Sequence, residues 1–177
     1  MSDACHRPRV AVSSCLLGEP VRYDGAHKRN ACVVDLLSTS FDTFLVCPEV
    51  AIGMGMPRPP IQLVKRGDSV HALGVDDRTI DVTRRLQQYG QQVSGQLLDI
   101  SGYIFKSHSP SCGLNDSDLF DVERTLIGKT SGLFSGMIRD LLPDLPVIDE
   151  IALQDSTVRE VFVQQVYDYQ AMRQGRR

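Results

Sequence analysis

The sequence has no excess of basic charge: 19 Lys and Arg stand against 22 Asp and Glu, a net charge of −3. Non-specific nucleic-acid or membrane-surface binding needs a basic field, so this balance argues against both. It has no long apolar run either. The longest stretch poor in charge, Thr43 to Pro57, is broken by Pro48, Glu49, Gly53 and Gly55. It falls short of the ~20 apolar residues that a membrane helix needs. The N-terminal residues lack the apolar core of a secretory signal, so a cytoplasmic setting with reduced thiols is expected. Internal repeats and low-complexity linkers are absent. The length of 177 residues is that of one domain, 1–177, with residues 1–8 and 173–177 expected as flexible tails. An even set of cysteines is also missing. The five are Cys5, Cys15, Cys32, Cys47 and Cys112. They cannot all pair, and a disulfide scaffold carries a denser, even set in a shorter chain. The thiols therefore need another use.

The apolar pattern alternates between strands and helices. Arg9 to Ser14 and Asp42 to Cys47 are short apolar runs bounded by turn signals, as buried strands are. Between them Leu16 to Lys28 is loop, and Asn30 can cap a helix to about Leu37. Val70 to Gly74 and Thr79 to Asp81 flank a turn and predict a hairpin. Val82, Leu86, Tyr89, Val93, Leu97 and Ile100 form one face of a period-3.6 helix. Gly102 to Lys106 is a third buried strand. Thr130 or Ser131 can cap a helix that Pro143 stops, Leu145 to Ile148 is a last strand, and Ser156 to about Arg173 is a closing helix. The fold class expected is α/β: a single domain with a mostly parallel sheet and helices on both faces, Rossmann-like or flavodoxin-like.

Cys15, Cys47 and Cys112 share a context. Each follows a predicted strand and precedes turn residues: Leu-Leu-Gly18, Pro48-Glu49 and Gly113. Loops at the carboxyl ends of parallel strands open on one edge, where ligands bind, so three thiols could converge there. Their spacings, 32 and 65 residues, are not those of zinc ribbons or bacterial ferredoxins. Three thiolates suit a soft metal: zinc with a fourth ligand, or an iron–sulfur cluster with one iron left open. A single cysteine of this kind would more often be a small buried hydrophobe, but three at strand ends reverse that weighting. Cys5 reads as surface and Cys32 as core. Two other patterns fail: Gly128-Lys-Thr130 lacks the leading glycine of a phosphate loop, and Gly53-Met-Gly55 meets Arg58 where a third glycine belongs.

Ser14-Cys-Leu-Leu-Gly18, Val21-Arg-Tyr-Asp-Gly25, Cys47-Pro-Glu49, Pro57-Arg-Pro-Pro60 and Ser109-Pro-Ser-Cys-Gly113 occur in that order. Together they resemble the bacterial family that includes the thiouracil desulfidases. Gly132-Leu-Phe134 and Pro146-Val-Ile-Asp-Glu150 are similar to its distal half, so the resemblance runs from about Val10 to Tyr169. It implies an enzyme that exchanges the sulfur of a thiolated pyrimidine, free base or nucleoside, for oxygen and releases sulfide. It implies a [4Fe-4S] cluster on Cys15, Cys47 and Cys112, with Glu49 and Ser109 as catalytic residues. The chain departs from the pattern at Gln62, where an acidic residue is expected.

Such chemistry needs an attacking water and a sink for sulfur. An electron-poor iron is a thiophile and a Lewis acid. Glu49, two residues from Cys47, can act as general base and then acid. The bland reading of Glu49 is a helix-start or ion-paired carboxylate, and that of Ser107, Ser109 and Ser111 is turn serines bonding their own backbone. Arg22, Tyr23, Asp24, Lys28, Arg58, Lys106 and Ser107 are candidates to hold the base or its ribose; otherwise the charges among them solvate loops. Two rival functions follow from the same residues: a hydrolase with Cys112 as nucleophile beside His108, and a non-enzymatic iron–sulfur sensing module.

Overall fold

The computed structural model describes residues 7–175; Cys5 and the outer parts of both expected tails lie outside them. Along the chain the elements are β1 (Arg9–Ser13), α1 (Ala31–Ser40), β2 (Asp42–Val46), α2 (Pro48–Ala51), β3 (Ile61–Arg66), β4 (Ser69–Gly74) and α3 (Thr83–Ser94). They continue with β5 (Gly102–Phe105), β6 (Ser117–Phe120), β7 (Leu126–Thr130), α4 (Leu133–Leu141), β8 (Val147–Asp149) and α5 (Ser156–Gln174). Arg7 and Arg173, within the expected tails, are tied to the body. Arg7 donates to the carbonyls of Leu37, Ser38 and Phe41 at the end of α1, and Arg173 donates to Ile100.

The main sheet has the order β2-β1-β5-β8, and every pair in it is parallel. Its alternating side chains explain why the strands read as unbroken apolar runs. Val10, Val12, Ile104 and Ile148 pack on one side against Val33, Leu36 and Leu37 of α1 and Phe162 and Val166 of α5. Ala11, Val46, Tyr103 and Phe105 pack on the other against Val93 of α3, Leu97, and Phe134 and Ile138 of α4. Both faces are covered, as a parallel sheet requires. The expected α/β architecture is therefore present.

A second sheet, in the order β4-β3-β6-β7, was not anticipated from the pattern. It is mixed: β3 runs antiparallel to β4 and parallel to β6, and β6 runs antiparallel to β7. The hairpin expected between residues 70–74 and 79–81 reduces to one bridge, Leu73 to Asp81. β4 instead pairs along its length with β3, across a Gly67-Asp68 loop in which Gly67 takes φ 59°. That loop matches the short Gly-first connection of a tight hairpin, and the buried Ile61 and Leu63 give β3 a core face. The long periodic helix ends earlier than its apolar positions do: α3 stops at Ser94, and Leu97 and Ile100 are carried by a 3-10 turn over Gln96–Asp99 and its exit. α4 is capped by Gly132 rather than Thr130 or Ser131, because Thr130 is the last residue of β7. No helix is long and apolar enough to cross a membrane among the described residues.

Candidate active site at the carboxyl edge of the main sheet

Parallel pairing sends the four strands of the main sheet out on one edge. β1 ends into Ser14 and Cys15, β2 into Cys47 and Glu49, β5 into Lys106 to Cys112, and β8 into Glu150. The order β2-β1-β5 also puts a change of direction beside β1, the place where ligands sit in such sheets. A cavity of about 320 Å³ opens there. Cys15, Cys47 and Cys112 all line it, with Glu49, Ser109, Arg22, Tyr23, Lys28, Arg58, Lys106 and Ser107. Of the sequence candidates only Asp24 is not in the wall. It is exposed, accepts a hydrogen bond from the Ala26 amide and lies 3.6 Å from Arg22. Pro60 and Ile61 close the cavity from the second sheet.

The thiols are close enough to act on one another. Burial pushes the Cys15 thiol up to about 11, and proximity to Cys47 adds to this. Burial also raises Cys47, against hydrogen bonds from the Val50 and Glu49 amides. Cys112 is 5% exposed, and burial lifts it well above its ordinary range although Ser13 hydrogen-bonds its sulfur; Cys47 and Cys15 act in the same direction as burial. Thiols raised in this way are protonated and inert near neutral pH. A cationic group would reverse that and draw off the protons. No three Cys, His, Asp or Glu side chains among the described residues are spaced to hold a single metal ion. Three soft donors on separate loops around one roomy cavity fit a larger metal–sulfur group.

Glu49 stands in the first turn of α2 and is fixed at both oxygens. Arg58 donates from Nε at 2.8 Å and Nη2 at 2.7 Å to Oε2, and the Ser111 hydroxyl donates to Oε1 at 2.8 Å. The Arg58 side chain is 3% exposed and that of Glu49 14%. Losing one partner of a fully buried pair costs about 3–5 kcal/mol, and less where one side meets solvent, as here. Arg58 is thus turned onto Glu49 and the Gly55 carbonyl, and its own amide ties the Pro-rich loop to the Tyr23 carbonyl. Ser109 Oγ accepts from the amides of Ser111, at 3.3 Å, and Cys112, at 3.1 Å. These two bonds shape the loop that carries Cys112.

Sequence reasoning missed the group at the end of β8. Glu150 takes the Lys106 ammonium and the Ser107 hydroxyl on Oε1 and the Ser107 amide on Oε2, the last two at 2.6 and 2.8 Å. Burial works to raise its carboxyl, but the hydrogen bonds from Lys106 and Ser107 prevail and hold it below the usual carboxylate range. Lys106 and Ser107 are therefore braced at the cavity wall. Cys32 is elsewhere, packed against the α1 and α5 core, with its thiol on the Leu153 carbonyl. His108 lines the cavity with its side chain 60% exposed, and its Nδ1 lies 3.1 Å from the Asp116 carbonyl oxygen. A buried thiol with a raised pKa and a histidine engaged by Asp116 do not make a nucleophile and its base.

The sequence pattern of the family described as 2-thiouracil desulfurase matches residues 10–150 of the chain. The chain belongs to that family. The matched span runs from the start of β1 to Glu150 and so contains every strand end of the site. The chain is also similar to the uncharacterized protein YbbK of Bacillus subtilis (strain 168). It is 29% identical over 111 residues, 59% of this chain and 72% of its own length. Among solved structures, a [4Fe-4S]-dependent thiouracil desulfidase, TudS, superposes with a TM-score of 0.66 at 29% identity. The match covers 84% of this chain and 94% of that one. This member of the 2-thiouracil desulfurase family thus shares its fold with a desulfidase of known structure.

Proposed function

We propose that the chain is a [4Fe-4S]-dependent desulfidase that converts a thiolated pyrimidine, 2-thiouracil-like or 4-thiouracil- or 4-thiouridine-like, to its oxo form with release of sulfide. One observation carries this reading: three mutually interacting thiols and an anchored carboxylate share one cavity at the carboxyl edge of a parallel sheet. Cys15, Cys47 and Cys112 would hold the cluster. When bound, it supplies a thiophilic, Lewis-acidic iron for the sulfur of the substrate.

The side chains divide the remaining work. Glu49 is anchored by Arg58 on Oε2 and by Ser111 on Oε1, which leaves Oε1 one acceptor site at the cavity wall. It takes a proton from water as the water oxygen bonds to the thiocarbonyl carbon, then returns it as the carbon–sulfur bond breaks. The balance is one water consumed and one hydrogen sulfide formed. Ser109 has its lone pairs on loop amides, so its proton is directed to the oxygen that gains charge. Arg22, Tyr23 and Lys28 line the cavity, with Tyr23 and Lys28 exposed, and would receive the ring of a base. The balanced net charge favours a small molecule over a nucleic acid.

The test is anaerobic reconstitution with iron and sulfide, followed by incubation with 2-thiouracil and with 4-thiouridine. A visible absorption band and sulfide release are expected. Failure to bind iron, or full activity in Cys112→Ser, would overturn the reading. A cluster without sulfide release from either compound would favour the sensing module instead.

A further inference from the structure

Tyr103, on β5, is fully buried and its hydroxyl has no hydrogen-bond partner among the described residues. Its ring cannot turn to find one. It lies flat against Phe105, centroids 3.7 Å apart and planes 2° apart, and meets Phe134 edge-on at 6.3 Å. A phenylalanine would fill the same apolar space without stranding a hydroxyl, so packing does not explain the tyrosine. Its surroundings do. Tyr103 shares its core cluster with Cys112. Its hydroxyl is thus a buried donor without a partner among the described residues, set in the same core cluster as Cys112.

We propose that Tyr103 is an outer-layer donor to the Cys112 sulfur when that sulfur is a cluster ligand. A metal-bound cysteine sulfur carries more negative charge than a thiol and is the better acceptor. Donors to the sulfurs of an iron–sulfur centre stabilise its more negative, reduced state. Tyr103 is thus a positioning and tuning residue and touches no substrate. The inference rests on the cluster reading above.

The test compares the parent chain with Tyr103→Phe, each loaded anaerobically with ferrous iron and sulfide. Equal iron content is expected. The reduction equilibrium should move about tenfold toward the oxidised form, which for one electron is about 59 mV more negative. The empty variant should unfold at the same or a higher denaturant concentration than the empty parent, because only an unpartnered hydroxyl has been removed. In the parent, deuterium exchange should shift an iron–cysteine sulfur vibration, and the shift should shrink in the variant. An unchanged potential with an unchanged isotope shift would overturn the proposal. So would an empty variant as destabilised as the loaded one, which a structural role alone predicts. A parent that takes up no iron would fail at the earlier step and overturn the cluster reading itself.

Discussion

Gly132 caps α4 where the helix meets the loop that carries Cys112, and Gly132→Ala isolates that seam. The backbone there is ordinary, with φ −59° and ψ 149°, so alanine brings no conformational strain. The obstacle is contact. A Cβ would lie 2.4 Å from the Ser111 carbonyl carbon, 2.5 Å from its oxygen and 2.7 Å from the Cys112 nitrogen. Non-bonded carbons rest at about 3.5–4.0 Å, so the loop must retreat by about 1 Å. It is held by amides of Leu133 on Pro110, at 3.1 Å, and of Phe134 and Ser135 on Ser111, both at 3.0 Å. A shift of that size breaks the two bonds to Ser111 and draws the Ser111 hydroxyl off Glu49. Overpacking of about 1–3 kcal/mol, plus about 1 kcal/mol for each of the three lost bonds, gives a loss of about 4–6 kcal/mol. At about 2–4 °C per kcal/mol for a chain this long, the melting temperature should fall by about 8–24 °C. The assay is thermal unfolding of the empty chain beside iron content after reconstitution. Iron uptake should fall with the melting temperature. A variant that melts within about 1 °C of the parent and loads fully would refute the claim that this contact places Cys112.

Glu49→Gln should load with iron as the parent does, yet lose about 10²–10⁴-fold in kcat, the usual contribution of a positioned acid–base group; sulfide-release kinetics check it. Glu150 titrates below its unfolded value, near 4.5, so it adds stability above that pH and loses it as the pH falls through the folded value. Denaturant melts of Glu150→Gln between pH 3 and 7 should therefore show lower stability at neutral pH and a flatter acid limb than the parent. Cys32→Ser keeps a donor on the Leu153 carbonyl, so iron content should be unchanged and stability should drop by less than about 1 kcal/mol. Iron analysis and a melting curve would show otherwise at once.

The main sheet was legible because burial on both faces writes itself as unbroken apolar runs, and the strand ends followed from turn residues. The cysteine trio was legible for the same reason, while its cluster and the roles of Glu49 and Ser109 came with the resemblance. The second sheet was hidden by exposure. Every residue of Leu126 to Lys129 in β7 faces solvent, and β6 buries little beyond Ser117, so neither shows an alternating pattern. β3 follows Pro59-Pro60 and drew no assignment, although Gly67-Asp68 was a usable hairpin signal. Glu150 carried no local sign: its partners Lys106 and Ser107 lie 44 and 43 residues away and meet it only because β5 and β8 are neighbours. Arg58, a candidate to hold substrate, lines the cavity and also braces Glu49, and nothing in the sequence places residues 49 and 58 to make that pair.

The seam at Gly132 also separates having the three cysteines from having the site. The loop that carries Cys112 is held by amides of Leu133, Phe134 and Ser135, which lie beyond it in the chain. A polypeptide cut before Gly132 would contain Cys15, Cys47 and Cys112 and still lack α4 (residues 133–141), the helix that fixes Pro110 and Ser111.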